Sequence, residues 1–144
     1  MQRNIRVLLA DDDEIIRGVI AAICSTISAV QLVGEAQDGE QLLEKFKQTL
    51  PDVVLLDIEM PKMTGLVALK RLKEMDPDIA ILMLTSQNSP AVVKESLRNG
   101  AQGYVLKTNP PDAIRASIRD ICFKQLKKIL NAASQVKAAP STSP

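Results

Sequence analysis

Along the chain, short continuous apolar runs alternate with longer stretches in which apolar residues recur every three or four positions. "IRVLLA" (5–10), "VQLVGEA" (30–36), the run Val53 to Leu56, "IAILMLT" (79–85) and "GYVLK" (103–107) read as five short strands. The intervening stretches have a helical period. Ile15, Ile16, Val19, Ile20, Ile23, Cys24 and Ile27 share one face, as do Leu42, Leu43 and Phe46, and then Leu66, Leu69 and Leu72. Ser89-Pro90 opens a fourth helix and Asn99-Gly100 closes it, while Pro111 opens a fifth through Ile114, Ile118, Ile121 and Cys122. Asp13 and Thr64 are predicted to cap the first and third helices.

Strands that are apolar on both faces belong to a parallel sheet covered by helices on both sides. Five of them alternating with five helices predict an α/β fold: a doubly wound (βα)5, flavodoxin-like sheet in strand order 2-1-3-4-5. Such sheets carry their sites at the carboxyl ends of the strands. Asp11, Asp12 and Asp13 follow strand one, Asp57 ends strand three, Thr85 and Ser86 follow strand four, and Lys107 follows strand five. Strand two ends with nothing comparable. In the predicted order, strands one, three, four and five are contiguous, so these residues would meet in one cleft. Crowded carboxylates repel unless a hard dication sits among them, and Mg²⁺, with Mn²⁺ as a substitute, suits carboxylate and phosphate oxygens. Lys107 and Thr85 would then suit a phosphoryl group near Asp57.

Composition narrows the chemistry. The 144 residues suit one domain, and 18 Lys and Arg against 17 Asp and Glu give no reason to expect nucleic-acid or membrane binding. The absence of histidine excludes His-based triads, His-ligated zinc and a phosphohistidine on this chain. The two cysteines, Cys24 and Cys122, lie in apolar helical patterns and are expected to be reduced core thiols of a cytoplasmic protein.

"VLLADDDEIIR", "VVLLDIEMPKMTGL", "ILMLTSQ" and "GAQGYVLK" together resemble the receiver domain of bacterial two-component response regulators, over roughly residues 4–125. The resemblance implies that Asp57 accepts a phosphoryl group. It implies that Asp11, Asp12, Asp57 and the backbone carbonyl of Glu59 hold Mg²⁺. It also implies that Thr85 and Lys107 bind the phosphoryl oxygens and that Tyr104 is an aromatic switch moving with Thr85. The implied donor is a sensor histidine kinase or a histidine phosphotransfer protein. Residue 108 is threonine where the family usually has proline, and a trans peptide is expected after Lys107. Glu59 and Gln87 occupy positions that tune loss of the phosphoryl group.

The receiver is expected to span residues 1–125. Residues 126–144 would add a helical extension, carried by Leu126, Ile129, Leu130 and Ala133 beside Lys124, Lys127 and Lys128, and then a polar tail, "SQVKAAPSTSP". Two outputs fit: a single-domain regulator that acts on a protein partner, with homodimers as one form of contact, or the receiver part of a transcription factor whose DNA-binding domain is missing from this chain. An aspartate-nucleophile phosphohydrolase, with Glu59 as the acid two residues on, is a remote third reading that lacks room for a substrate cap.

Overall fold

The computed structural model describes residues 4–87 and 89–138, the last three as backbone only. Its elements run β1 (Ile5–Ala10), α1 (Glu14–Ser25), β2 (Val30–Ala36), α2 (Gly39–Thr49), β3 (Val53–Asp57), α3 (Gly65–Met75), β4 (Ala80–Thr85), α4 (Pro90–Arg98), β5 (Gly103–Leu106) and α5 (Pro111–Ala138). The strands form one sheet in the order β2-β1-β3-β4-β5, all neighbours parallel, as the pattern predicts. Every residue of the inner strands β3 and β4 is buried, whereas the edge strands β2 and β5 are mostly half-buried.

Alternate side chains of each inner strand feed two separate cores, because successive Cβ atoms point to opposite faces. Val7, Leu9, Val53, Leu55, Leu82 and Leu84 join Ile20, Ile23, Cys24, Ile114, Ile118 and Cys122 beneath α1 and α5. Leu8, Ala10, Val54, Leu56, Ile81 and Met83 join Leu42, Phe46, Leu69 and Leu72 beneath α2 and α3. Val93 is buried and Val92 half-buried against this second core, so neither stands free on the α4 surface.

Local chemistry sets the helix starts. Asp13 accepts from the Ile15 and Ile16 N–H groups, Asp38 from Gln41 and Thr64 from Val67, each satisfying donors that a helix leaves open. Ser89 and Pro90 begin α4 as predicted, but the Ser89 side chain makes no cap bond. Gly100, at φ 104°, follows that helix in a backbone region that glycine enters without strain. No peptide bond among the described residues is cis, including that after Lys107.

The fifth helix runs on past the body of the fold. Leu126 and Ile129 pack on the core as the stripe predicts, but every described residue from Leu130 to Gln135 is exposed. The helix continues to Ala138, through the first residues of the segment read as a polar tail; residues 139–144 lie outside the described residues. At 1.5 Å per residue, its 28 residues span roughly 42 Å, about twice the length of the strands it covers. The body ends before the helix does. No described helix is long and apolar enough to cross a membrane.

Candidate phosphoacceptor and metal site

Sheet register brings the predicted residues together. Ala10 pairs with Leu56, Asp57 with Leu84 and Thr85 with Leu106, so the ends of β1, β3, β4 and β5 form one rim. Backbone bonds extend that rim past the ladders. Asp11 N–H donates to the Ala36 carbonyl at 3.0 Å, Ile58 to Leu84 at 2.9 Å and Lys107 to Thr85 at 2.8 Å. Gly65 closes the β3–α3 turn over Asp57, its N–H 2.7 Å from the Ile58 carbonyl. A Cβ there would lie 2.2 Å from the Asp57 carbonyl oxygen, so only glycine fits the approach.

Asp11 and Asp57 are fully buried, and Asp12 beside them is exposed. One carboxylate oxygen from each of the three lies within 4.8 Å of the others. Lys107 reaches into this group, its ammonium 2.8 Å from Asp11 Oδ2 and 2.9 Å from Asp57 Oδ1. Asp57 Oδ1 also accepts the Glu59 N–H at 3.1 Å, and Asp11 Oδ1 accepts that of Asp13 at 2.9 Å. Asp57 Oδ2 is buried with no hydrogen-bond partner, a costly state for a carboxylate oxygen.

Burial pushes the Asp57 carboxyl up to about 7; Lys107 opposes the rise, and the Asp11 charge and the side-chain contact with Asp12 add to it. For Lys107, burial disfavours the ammonium, but the Asp11 and Asp57 carboxylates outweigh it and hold its affinity for the proton above the ordinary value. Three carboxylates face one cation. The residues fit a hard divalent ion: an all-oxygen donor set, an excess of negative charge, and a buried Asp57 oxygen that accepts no hydrogen bond.

The remaining predicted residues are placed differently. Glu59 is exposed, and its contact to the site is its backbone N–H. Thr85 is buried, but its hydroxyl donates to the Gln87 carbonyl at 2.7 Å and accepts from the Gln87 N–H at 3.1 Å, so it is turned toward its own loop. Tyr104 lies on β5 opposite Met83, two strand positions short of the rim, and is 42% exposed. The structure brings Asp11, Asp12, Asp57 and Lys107 together, holds Thr85 on the same rim with its hydroxyl bonded to Gln87, and leaves Tyr104 two positions down β5.

Two residues that sequence reasoning passed over border the site. Arg17 on α1 donates from Nη1 to the Asp11 carbonyl at 2.8 Å and pairs through Nε with Glu35 Oε1 at 3.2 Å. Strand two thus does contribute, through Glu35. Arg17 four residues after the Asp13 cap, on the polar side of an otherwise apolar helix, was the available signal.

The family model of the response regulator receiver domain matches residues 7–119. The transcriptional regulatory protein YxjL of Bacillus subtilis is 39% identical over 120 residues, covering 81% of this chain and 55% of that protein. The chemotaxis protein CheY of Thermotoga maritima is 31% identical over 116 residues, covering 81% of this chain and 96% of that one. Among solved structures, the CheX–CheY–BeF3–Mg²⁺ complex from Borrelia burgdorferi superposes with a TM-score of 0.77 at 26% identity, covering 83% of this chain and 90% of that one. The chain spans about half the length of the transcriptional regulators it matches. With its parallel 2-1-3-4-5 sheet and the carboxylates gathered at the ends of its strands, the chain belongs to the response regulator receiver family, the phosphorylation-dependent switches of two-component signalling.

Proposed function

We propose that Asp57 accepts a phosphoryl group from a phosphohistidine on a separate sensor kinase or phosphotransfer protein, with Mg²⁺ held by Asp11, Asp12, Asp57 and the Glu59 carbonyl. The observation that carries this reading is the gathering of three carboxylates at the strand ends, with Asp57 Oδ2 buried without a hydrogen bond and its other oxygen held by Lys107. When bound, the dication supplies charge neutralisation for the carboxylates and for the incoming phosphoryl oxygens.

The chain's residues perform the rest. An Asp57 carboxylate oxygen forms the new bond to phosphorus as the donor's phosphorus–nitrogen bond breaks, and the electron pair leaves with the imidazole nitrogen, which takes a proton from water. No general base is needed once Asp57 is ionised, the state that a bound dication would favour over the proton that burial otherwise retains. Lys107 is placed to follow the added negative charge. Thr85 would exchange its bonds with Gln87 for one to a phosphoryl oxygen, and Tyr104 on the neighbouring strand would move inward with it. The β4–β5 face would then act on a partner protein or an output domain. Similarity to a transcriptional regulator favours, as a second reading of the output, a DNA-binding domain joined through α5.

Intact mass after incubation with acetyl phosphate, with and without Mg²⁺, tests the site. One added phosphoryl group, dependent on Mg²⁺ and absent from Asp57→Asn, is expected. A Mg²⁺-dependent adduct that survives in Asp57→Asn would place the acceptor elsewhere.

A further inference from the structure

We infer that Arg17 is a positioning residue for the divalent-cation site, holding the Asp11–Asp12 peptide in place while Glu35 fixes its guanidinium from the far side; this rests on the metal site proposed above. Strand β1 ends its ladders at Ala10, which pairs with Ala36 on one side and Leu56 on the other. The Asp11 N–H is still taken by the Ala36 carbonyl, but the Asp11 carbonyl lies past the last backbone donor. Arg17 Nη1 fills that role at 2.8 Å. The Asp11 carbonyl and the Asp12 N–H belong to one rigid plane, so pinning the oxygen sets the direction in which the chain leaves toward Asp12. Asp12 is exposed and directly follows the peptide that Arg17 holds. Its carboxylate meets those of Asp11 and Asp57 because the peptide before it is held.

The guanidinium is itself held. Its side chain is 17% exposed, and the Nε–Glu35 pair at 3.2 Å leaves Nη1 directed at Asp11, a two-point geometry that an ammonium lacks. Two other accounts of Arg17 make different predictions. A through-space charge effect would have the cation repel Mg²⁺, so its removal would tighten binding. A purely structural role would lower stability and leave the affinity of the folded protein unchanged.

Calorimetric titration of the full chain with Mg²⁺, alongside urea melts in chelator, separates them. Arg17→Met is expected to weaken Mg²⁺ binding about tenfold, the lower end for loss of a residue that orients a metal ligand. Glu35→Gln, which keeps the bond to Asp11, is expected to weaken it by a smaller factor. Unchanged or tighter binding by Arg17→Met overturns the inference. Should that variant not fold, Arg17→Lys decides: binding at least about threefold weaker supports it, and wild-type affinity overturns it. Wild-type protein that takes up no Mg²⁺ would instead overturn the metal site itself.

Discussion

The Lys107 ammonium lies 2.9 Å from Asp57 Oδ1, and both side chains are more than nine-tenths buried. This pair is what the apolar run of β3 leads to, and it explains how a strand from the core can end in a carboxylate. Pairing alone is insufficient, because Asp11 and Asp12 add charge that Lys107 cannot balance. The excess is the physical basis for the predictions that follow.

In chelator, stability should fall as pH rises from about 4 to about 7. The folded-state affinity of Asp57 for its proton is raised from an ordinary 3.8 to about 7, so the folded protein holds that proton more tightly than the unfolded chain. Its favourable contribution is therefore complete below about pH 4 and lost through pH 7. Asp57→Asn should remove this dependence and be more stable than wild type at pH 8, by up to about 4 kcal/mol. Urea melts across the pH range, repeated with Mg²⁺ to reverse the effect in wild type, provide the check.

Removing Lys107 should have the opposite sign. Lys107→Met leaves Asp11 and Asp57 buried together without their cation, and loss of one partner of a buried pair costs about 3–5 kcal/mol. Denaturation in chelator at pH 8 should show a large fall, and added Mg²⁺ should restore part of it. An unchanged melt would mean that the carboxylates are solvated in the native protein.

Two glycine-to-alanine changes should diverge. Gly65→Ala places a Cβ against the Asp57 and Ile58 backbone and should destabilise by about 2–4 kcal/mol while disturbing Mg²⁺ binding. At Gly18, in the middle of α1, a Cβ meets nothing within 4 Å, and alanine should stabilise by about 0.5–1 kcal/mol. Thermal melts of both variants give the comparison.

The thiols should be inert in the folded state. Burial, with the nearby Glu35 charge, pushes Cys24 up to about 11; burial, with Cys24 and Asp52 nearby, pushes Cys122 up to about 12. Thiolate is the reactive form, so alkylation at pH 8 should proceed at the rate of global opening and accelerate in step with urea. Rapid labelling of either thiol in native buffer would contradict their placement in the core.

Much of this was legible beforehand because it is local information. β2 spans the run read from the sequence, Asp13 and Thr64 cap their helices, and Cys24 and Cys122 are buried. Less legible was the state of Thr85, since a threonine after a strand looks the same whether its hydroxyl faces a site or its own loop. Leu130 and Ala133 continued an apolar period, yet they are exposed, because periodicity does not say where the body they would pack on ends. Glu35 carries no motif of its own in the sequence, because its partner Arg17 reaches it from α1 only in the folded chain.

The sequence by itself determined the alternation of strands and helices, the two-faced apolar strands that require a covered parallel sheet, and the chemistry at four strand ends. These follow from period, from turn and cap residues, and from residue type, all properties of short stretches. Only the tertiary structure decided which of those chemical groups touch. That Lys107 lies between Asp11 and Asp57, that Asp57 keeps a buried oxygen without a hydrogen bond, and that Arg17 ties β1 to β2 all depend on distances between strands far apart in the chain. Sheet register and packing fix those distances, and charge interactions are strong or weak according to them and to the burial they create.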